Sequence, residues 1–387
     1  MIKTIAKKSP QKTKGNTPSP PPEEIKLPNM SLSLDIGNSL CRAIDVFHPE
    51  IYMLIPHAVK PISENTVAEM RENGNIDMRV FCYEGQWYMT GEIAESSGAL
   101  TRRSGGEKYT KNYYTVLFLA LMLGMFPNGY NALSLVATFP PSDIDFLPDL
   151  SQCLLGKHKV ELLNRKTVSY KVTYLRTLYE PLGGLYQFAL ASNGENFQEH
   201  ITEKMKRSKI LTVDIWGVIS NGVPVMLNNW VGVERARSID LGILSVMARV
   251  SRDIKRANKE LFRSHRGTNL PFDERMRNAL LTHVYEAGGR ELDVSEFVSD
   301  AVLWFCRQFR DFYVQELGGA SEWDAIVISG GGGGLLYEAL IEHVLDFPIQ
   351  HVHTATVREN MHLANALGAG KAFIPIIQGR TNGAKKG

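Results

Sequence analysis

Two short apolar strands, each running into an aspartate and then a turn, set the frame for this chain. The first is Leu32-Ser33-Leu34-Asp35-Ile36-Gly37-Asn38-Ser39, and Ile210-Leu211-Thr212-Val213-Asp214-Ile215-Trp216-Gly217 repeats its grammar much later. Backbone N–H groups gathered in such a turn form an anion nest. An aspartate beside a bound phosphate repels it unless a cation sits between, which implies Mg²⁺ held through water. Two copies therefore predict a phosphate clamp built from two related halves. They differ where Trp216 stands in place of Gly37.

At 387 residues the chain suits two domains. Its formal net charge of +2 excludes a whole-surface attraction to nucleic acid or anionic lipid. Cys41, Cys82, Cys153 and Cys306 lie far apart, as expected of reduced thiols in a cytoplasmic protein. No apolar run is long enough to span a bilayer, and Val116 to Phe126 reads as a buried core helix. Residues 1–29 are basic and proline-rich, with little apolar surface to offset the entropy of ordering, and are expected to be a disordered tail. Either the tail is merely solvated, with Met30 as the working start, or it is a basic arm that touches DNA or an acidic partner.

The order of elements predicts an α/β fold in two rounds. Strands at Leu32–Ile36, Arg42–Phe47 and Tyr52–Pro56 form a meander, and Glu84-Gly85-Gln86 turns between two more strands. A helix over Lys111–Phe126 and a strand over Leu133–Phe139 follow, with Ser142 and Asp143 placed to cap the next helix. The second round has a strand over Val168–Leu178, a helix over Gly183–Ala191 and a hairpin over Ile210–Leu227. Helices are expected over Ile239–Phe262, Pro271–Tyr285 and Val294–Leu317. Last come a strand over Ala325–Ser329, a helix over Leu335–Val344 and a helix over Asn360–Phe373.

Three further features carry chemistry. Gly330 to Gly334 remove side chains from a strand-to-helix turn, so a ring and ribose can approach the backbone beside a helix N-terminus. The run matches neither a dinucleotide fingerprint nor a P-loop. Glu180 stands before Pro181, at a helix entrance. It reads either as a carboxylate that orients an attacking water or as an ordinary acidic first-turn residue. His351, His353 and His362 lack the partners that would complete a metal site. The basic face of Arg252, Lys255, Arg256 and Lys259 reads as solvated, with adenine or a neighbouring subunit as the alternative contact.

In this order the motifs resemble those of the actin-like ATPases, and among them the bacterial plasmid-segregation actins of the ParM/StbA type. Asp35-Ile36-Gly37-Asn38-Ser39 resembles phosphate loop one, and Glu180-Pro181 with Gly183-Gly184 the first connecting motif. Val213-Asp214-Ile215-Trp216-Gly217 resembles phosphate loop two, Ser329 to Gly334 the adenosine motif, and Glu359 to Gly370 the second connecting motif. Thr138-Phe139-Pro140 resembles the Thr-x-Pro strand end of those proteins. The likeness runs from Met30 to Phe373.

The resemblance implies a two-lobed, ribonuclease-H-like fold of two duplicated α/β domains, each with a mixed five-stranded sheet, around a nucleotide cleft. Domain I would span 30–160, completed by a C-terminal helix over 355–376; domain II would span 161–354, and 377–387 would be a flexible tail. By the same resemblance Asp35 and Asp214 would hold hydrated Mg²⁺, and Glu180 would position water. Gly37, Asn38, Ser39, Trp216 and Gly217 would line the phosphates of ATP or GTP. Gly330, Gly331, Gly332 and Gly333 would receive the nucleoside, and Asp240 and Gly242 would sit near the ribose. The implied function is ATP-dependent filament growth with hydrolysis coupled to disassembly. The chain would partner itself, and a DNA-binding adaptor in plasmid segregation. Loop two departs from the family, which has two glycines and a hydroxyl residue where Trp216, Gly217 and Val218 stand. That departure implies slow turnover, or a nucleotide-binding scaffold without hydrolysis. A small-molecule kinase of the same superfamily is a further reading, although no extra carboxylate offers itself as its base.

Overall fold

In the computed structural model of the protein, residues 30–74, 77–97, 107–227, 236–263, 270, 274–345 and 349–384 are described. The basic segment 1–29 lies outside them.

The first lobe begins with the meander β1 (Met30–Ile36), β2 (Leu40–Asp45) and β3 (Tyr52–Pro56). Then follow β4 (Val59–Ile62), α1 (Glu64–Glu72), β5 (Val80–Tyr83), β6 (Gln86–Thr90) and α2 (Gly91–Ser96). Ser63 caps α1 by accepting from the Thr66 N–H at 3.2 Å. The lobe continues with α3 (Lys111–Met125), β7 (Tyr130–Phe139), α4 (Leu147–Leu154), β8 (Gly156–Leu162) and β9 (Thr167–Tyr179). Val116 to Leu123 of α3 are all buried, as expected for a core helix without a polar face.

The second lobe holds α5 (Glu180–Ala189), α6 (Glu203–Arg207), β10 (Lys209–Ile215), β11 (Ser220–Met226) and β12 (Arg237–Ile239). It continues with α7 (Ile243–Ala257), α8 (Glu274–Thr282), β13 (Val284–Ala287), β14 (Arg290–Asp293) and α9 (Ser295–Gln315). It closes with β15 (Ala325–Ser329), α10 (Gly331–His343) and β16 (Val352–Thr354), and α11 (Ala364–Ala384) returns to the first lobe, packing on β1, β2 and β7. Among the described residues no helix is long and apolar enough to cross a membrane.

The duplication expected from the strands is visible in the sheets. The order β3-β2-β1-β7-β9 in the first is matched by β12-β11-β10-β15-β16 in the second. Register matches too: Asp35 pairs with Arg42 and Thr138 as Asp214 pairs with Asn221 and Ser329. The first sheet, however, has nine strands rather than five. The 13-residue β9 offers its C-terminal half to β7 and its N-terminal part to β8, and β5, β6 and β4 continue the edge. The chain thus leaves this sheet at Tyr179, past the boundary at 160 expected from the sequence.

Several local expectations change. Ser142 and Asp143 cap no helix; they lie in a 3₁₀ turn over Pro141–Phe146, and the buried Asp143 carboxylate accepts from the Tyr109 hydroxyl at 2.6 Å. Ile239 is in a strand, and Tyr285 belongs to the β13–β14 hairpin because His283 takes φ +62° and ends α8. Helix α10 starts at Gly331, not Leu335, and α11 runs to Ala384 through much of the expected tail.

Candidate functional site

Two hairpin turns meet between the lobes. One joins β1 to β2 through Gly37 to Ser39, and the other joins β10 to β11 through Trp216 to Ile219. A Cβ added to Gly217 would sit 3.5 Å from the Ser39 Cβ, so the loops face each other across a narrow gap. Asp35 and Asp214, both fully buried, end the strands that lead into them. His57 braces the first loop: its Nδ1 is 2.5 Å from the Gly37 carbonyl oxygen, and its backbone N–H donates to Ser39 O at 3.0 Å.

Asp35 is neutralised within its own hairpin. Arg42, across the β1–β2 ladder, donates from Nη1 to Asp35 Oδ2 at 3.2 Å and to Leu40 O at 3.0 Å. Among the described residues the other oxygen, Asp35 Oδ1, has no hydrogen-bond partner, and neither do Nε and Nη2 of the buried Arg42. Above Arg42 lies the indole of Trp216, its ring centre 4.3 Å from the guanidinium carbon. The backbone at Trp216 is not in the left-handed region that would favour glycine. Among the described non-glycine residues φ is positive only at Glu84, Arg165 and His283, and the ring turns onto Arg42. The Trp216 N–H donates to Ile219 O at 3.0 Å, which spends on the hairpin the donor expected for phosphate.

Asp214 is held from the second lobe and from the returning helix. Ser329 Oγ donates to Oδ1 at 2.9 Å, and Asn365 Nδ2 donates to Oδ2 at 3.0 Å. Burial raises its pKa to about 7 against the pull of those two donors, and the charge of Asp35 adds to the rise. Glu180 is the first residue of α5, with Pro181 second. Its Oε2 accepts from Asn221 Nδ2 at 3.3 Å, and Asn221 Oδ1 accepts from Ser238 Oγ at 2.7 Å. Burial holds the Glu180 carboxyl well above its ordinary range, and the charges of Asp35, Asp214 and Asp143 raise it further against the pull of Lys108. Once ionised, a carboxyl made more basic by burial beside two aspartates can accept a proton from water.

The glycine run divides by role. Gly330 takes φ +82°, and a Cβ there would fall 2.3 Å from Ile215 O and 2.8 Å from Asp214 Oδ1. Gly332 and Gly333 are packed less tightly, a Cβ there falling 2.9 Å from Ile215 Cγ2 and 2.8 Å from Ile328 Cγ2. Gly331 is open, the nearest atom to a Cβ there being His362 Cβ at 3.7 Å. Gly242 N-caps α7, where a Cβ would meet the carbonyls of Trp216 and Gly217 at 2.5 Å. Those carbonyls accept the N–H groups of Ile243 and Leu244, so loop two itself caps α7. Asp240 is exposed at the turn before it.

The structure thus brings Asp35, Gly37, Asn38, Ser39, Asp214, Trp216, Gly217, Glu180 and Gly330 to Gly333 around one cleft. Sequence reasoning missed Arg42, His57, the buried Lys108 and Asn221. The residues fit a hydrated cation and an anionic ligand. Among the described residues, buried atoms of both signs without a hydrogen-bond partner converge here: Asp35 Oδ1, Asn38 Oδ1, Thr138 Oγ1 and Asn365 Oδ1 as acceptors, Arg42 Nε and Nη2 as donors. No group of three acidic, histidine or cysteine ligands occurs among the described residues. A cation here would be held by Asp35 and Asp214 through water and by the ligand's own oxygens, the mode suited to Mg²⁺.

Comparison with known proteins agrees with this architecture. The sequence profile of the actin like proteins N terminal domain matches residues 33–183. The fold is similar to that of the actin-like protein Alp7A, with a TM-score of 0.68 at 14% identity over 92% of this chain and 100% of the other. It is similar to an archaeal actin homolog, Ta0583, in complex with ADP, with a TM-score of 0.67 at 16% identity over 89% and 98%. It is also similar to the subunit of a 15-stranded ParM filament from Clostridium botulinum, with a TM-score of 0.66 at 14% identity over 91% and 100%. A comparison with curated protein sequences finds no match. The chain has the two-lobed actin-like fold, as its motifs implied.

Proposed function

We propose that this chain binds Mg·ATP between its lobes and polymerises into filaments whose disassembly follows hydrolysis, serving plasmid segregation or cytoskeletal positioning in the cytoplasm. The observation that carries the reading is the pair of hairpins with matching register. Each presents a buried aspartate to one cleft, where unpartnered donors and acceptors converge. The matched solved structures, one holding ADP and one a filament subunit, support it.

In this reading Asp35 Oδ1 and Asp214 orient the water shell of the cation, while Arg42 Nε and Nη2 meet phosphate oxygens. The cation, when bound, would neutralise phosphate charge. Glu180, steadied by Asn221, orients the attacking water and accepts its proton. The open face at Gly331 admits the nucleoside, and GTP would enter the same cleft. Filaments follow if a head-to-tail contact does not close into a ring. The second partner would be a DNA-binding adaptor.

Sedimentation and light scattering with ATP, ADP and a non-hydrolysable analogue, alongside phosphate release, test the reading. ATP-dependent pelleting is expected. A monomer that phosphorylates a metabolite would overturn it in favour of a kinase. A second reading, a scaffold that binds nucleotide without turnover, draws on the engaged Trp216 N–H and on Val218, which carries no hydroxyl. Polymers without phosphate release, unchanged in Glu180→Gln, would select it.

A further inference from the structure

We infer that Trp216 is a positioning residue: its indole face fixes the plane of the Arg42 guanidinium so that Nε and Nη2 are presented to the phosphates of a bound nucleoside di- or triphosphate. The inference rests on the nucleotide reading above and gives the altered loop a role of its own.

Arg42 is anchored through a single nitrogen. Nη1 donates to both Asp35 Oδ2 and Leu40 O, while among the described residues Nε and Nη2 have no hydrogen-bond partner although the side chain is 1% exposed. The two coplanar N–H groups of Nη1 limit rotation of the plane, but the edge that carries Nε and Nη2 has no hydrogen bond of its own among the described residues. The ring of Trp216 supplies the missing constraint by covering the guanidinium at 4.3 Å. A cation over an aromatic face is attracted by the ring quadrupole, most strongly where water is excluded, and Trp216 is 8% exposed.

The indole is itself held. The Trp216 N–H is fixed on Ile219 O at 3.0 Å and its carbonyl accepts the Ile243 N–H at 2.9 Å, so both sides of its backbone are tied. Its buried Nε1–H lies toward the Asp214 carboxylate, which it stabilises as a hydrogen-bond donor. A buried guanidinium with unmade donors is costly unless a ligand completes it, and a phosphate oxygen suits its planar fork. Because Arg42 comes from β2 and Trp216 from the β10–β11 turn, the stack also spans the two lobes, and phosphate binding would feel how they close.

The opposite view, that the ring only obstructs phosphate, predicts the opposite sign of effect. Calorimetry with adenosine, ADP and ATP in Mg²⁺ separates the two, using Trp216→Gly, Trp216→Leu and Trp216→Phe with melting curves as a check on folding. Trp216→Leu and Trp216→Gly are expected to bind ADP and ATP about tenfold or more weaker, with adenosine unchanged. Trp216→Phe, which keeps a π face, is expected to recover most of the loss. In an Arg42→Met background Trp216→Leu should have no further effect on ADP. Equal or tighter ADP binding by Trp216→Leu, or an equal loss for adenosine, overturns the inference while leaving the nucleotide reading intact. Wild-type chain that binds none of the three ligands overturns both.

Discussion

The side-chain amide of Asn365 donates to Oδ2 of Asp214 at 3.0 Å, joining residues 151 positions apart. Asn365 lies in the first turn of α11, which packs on the first sheet, whereas Asp214 ends a strand of the second. The carboxylate that faces the cleft is thus held by the helix that closes the fold. Its protonation is coupled to how the lobes sit.

The raised pKa of Asp214 predicts a pH dependence with a definite sign. Between its ordinary value of 3.8 and about 7 the folded chain keeps a proton on this carboxyl that the unfolded chain has released. The ligand-free protein should therefore lose stability as pH rises across that window and level off above it. Glu180, raised in the same direction, adds to the slope. Stabilisation by Mg·ADP should run the other way, growing as Asp214 ionises. Melting curves from about pH 5 to about 8.5 measure both. Asp214→Asn should reduce the first slope and remove the cation-dependent gain, and a flat ligand-free profile would refute the assignment.

Replacing Asn365 by alanine tests the same carboxyl from the far lobe. Loss of the amide removes a donor that draws the Asp214 pKa down. The pH midpoint of Mg·ADP stabilisation is expected to move up, while Asn365→Gln is expected to move it less. A midpoint that does not move would mean that burial, Ser329, Asp35 and Trp216 govern the titration without Asn365.

Glu180→Gln keeps the shape at the start of α5 and the contact with Asn221 but removes the base. Phosphate release should fall by about a hundredfold or more, with ADP and ATP affinity nearly unchanged. A comparable fall in affinity would assign Glu180 to binding instead. Asn221→Ala, which frees Glu180 to move, should cost less than the loss of the carboxylate itself.

What could be read from the sequence was whatever repeats. Asp35 and Asp214 announced themselves because the same strand-and-turn grammar occurs twice, and the glycine run because few turns need so many missing side chains. Arg42 and Asn221 were legible in principle: each lies seven positions after its aspartate, the offset at which a hairpin of this turn length brings two residues opposite. Lys108 and His57 were not, since they reach the cleft from connections whose course is set by tertiary packing. The extra strands of the first sheet were hidden for a similar reason. Whether β8 joins the edge of β9 depends on pairing across the lobe rather than on either segment alone.

The close crossing of α5 and α11 yields a stability prediction that needs no ligand. A Cβ on Gly368 would fall 1.8 Å from Gly183 O and 2.4 Å from Gln187 N, and one on Gly183 would fall 2.3 Å from Asn365 O. These neighbours are backbone, so relief requires the helices to separate, and separation pulls Asn365 away from Asp214. Gly368→Ala should therefore destabilise the fold by about 1–3 kcal/mol or more, as overpacking does. It should weaken Mg·ADP binding as well. Gly379→Ala, in the same helix but with nothing within 4 Å, should be neutral or raise the melting temperature through helix propensity. Equal melting temperatures for the two variants would mean that the connecting helices are not held at this distance in solution.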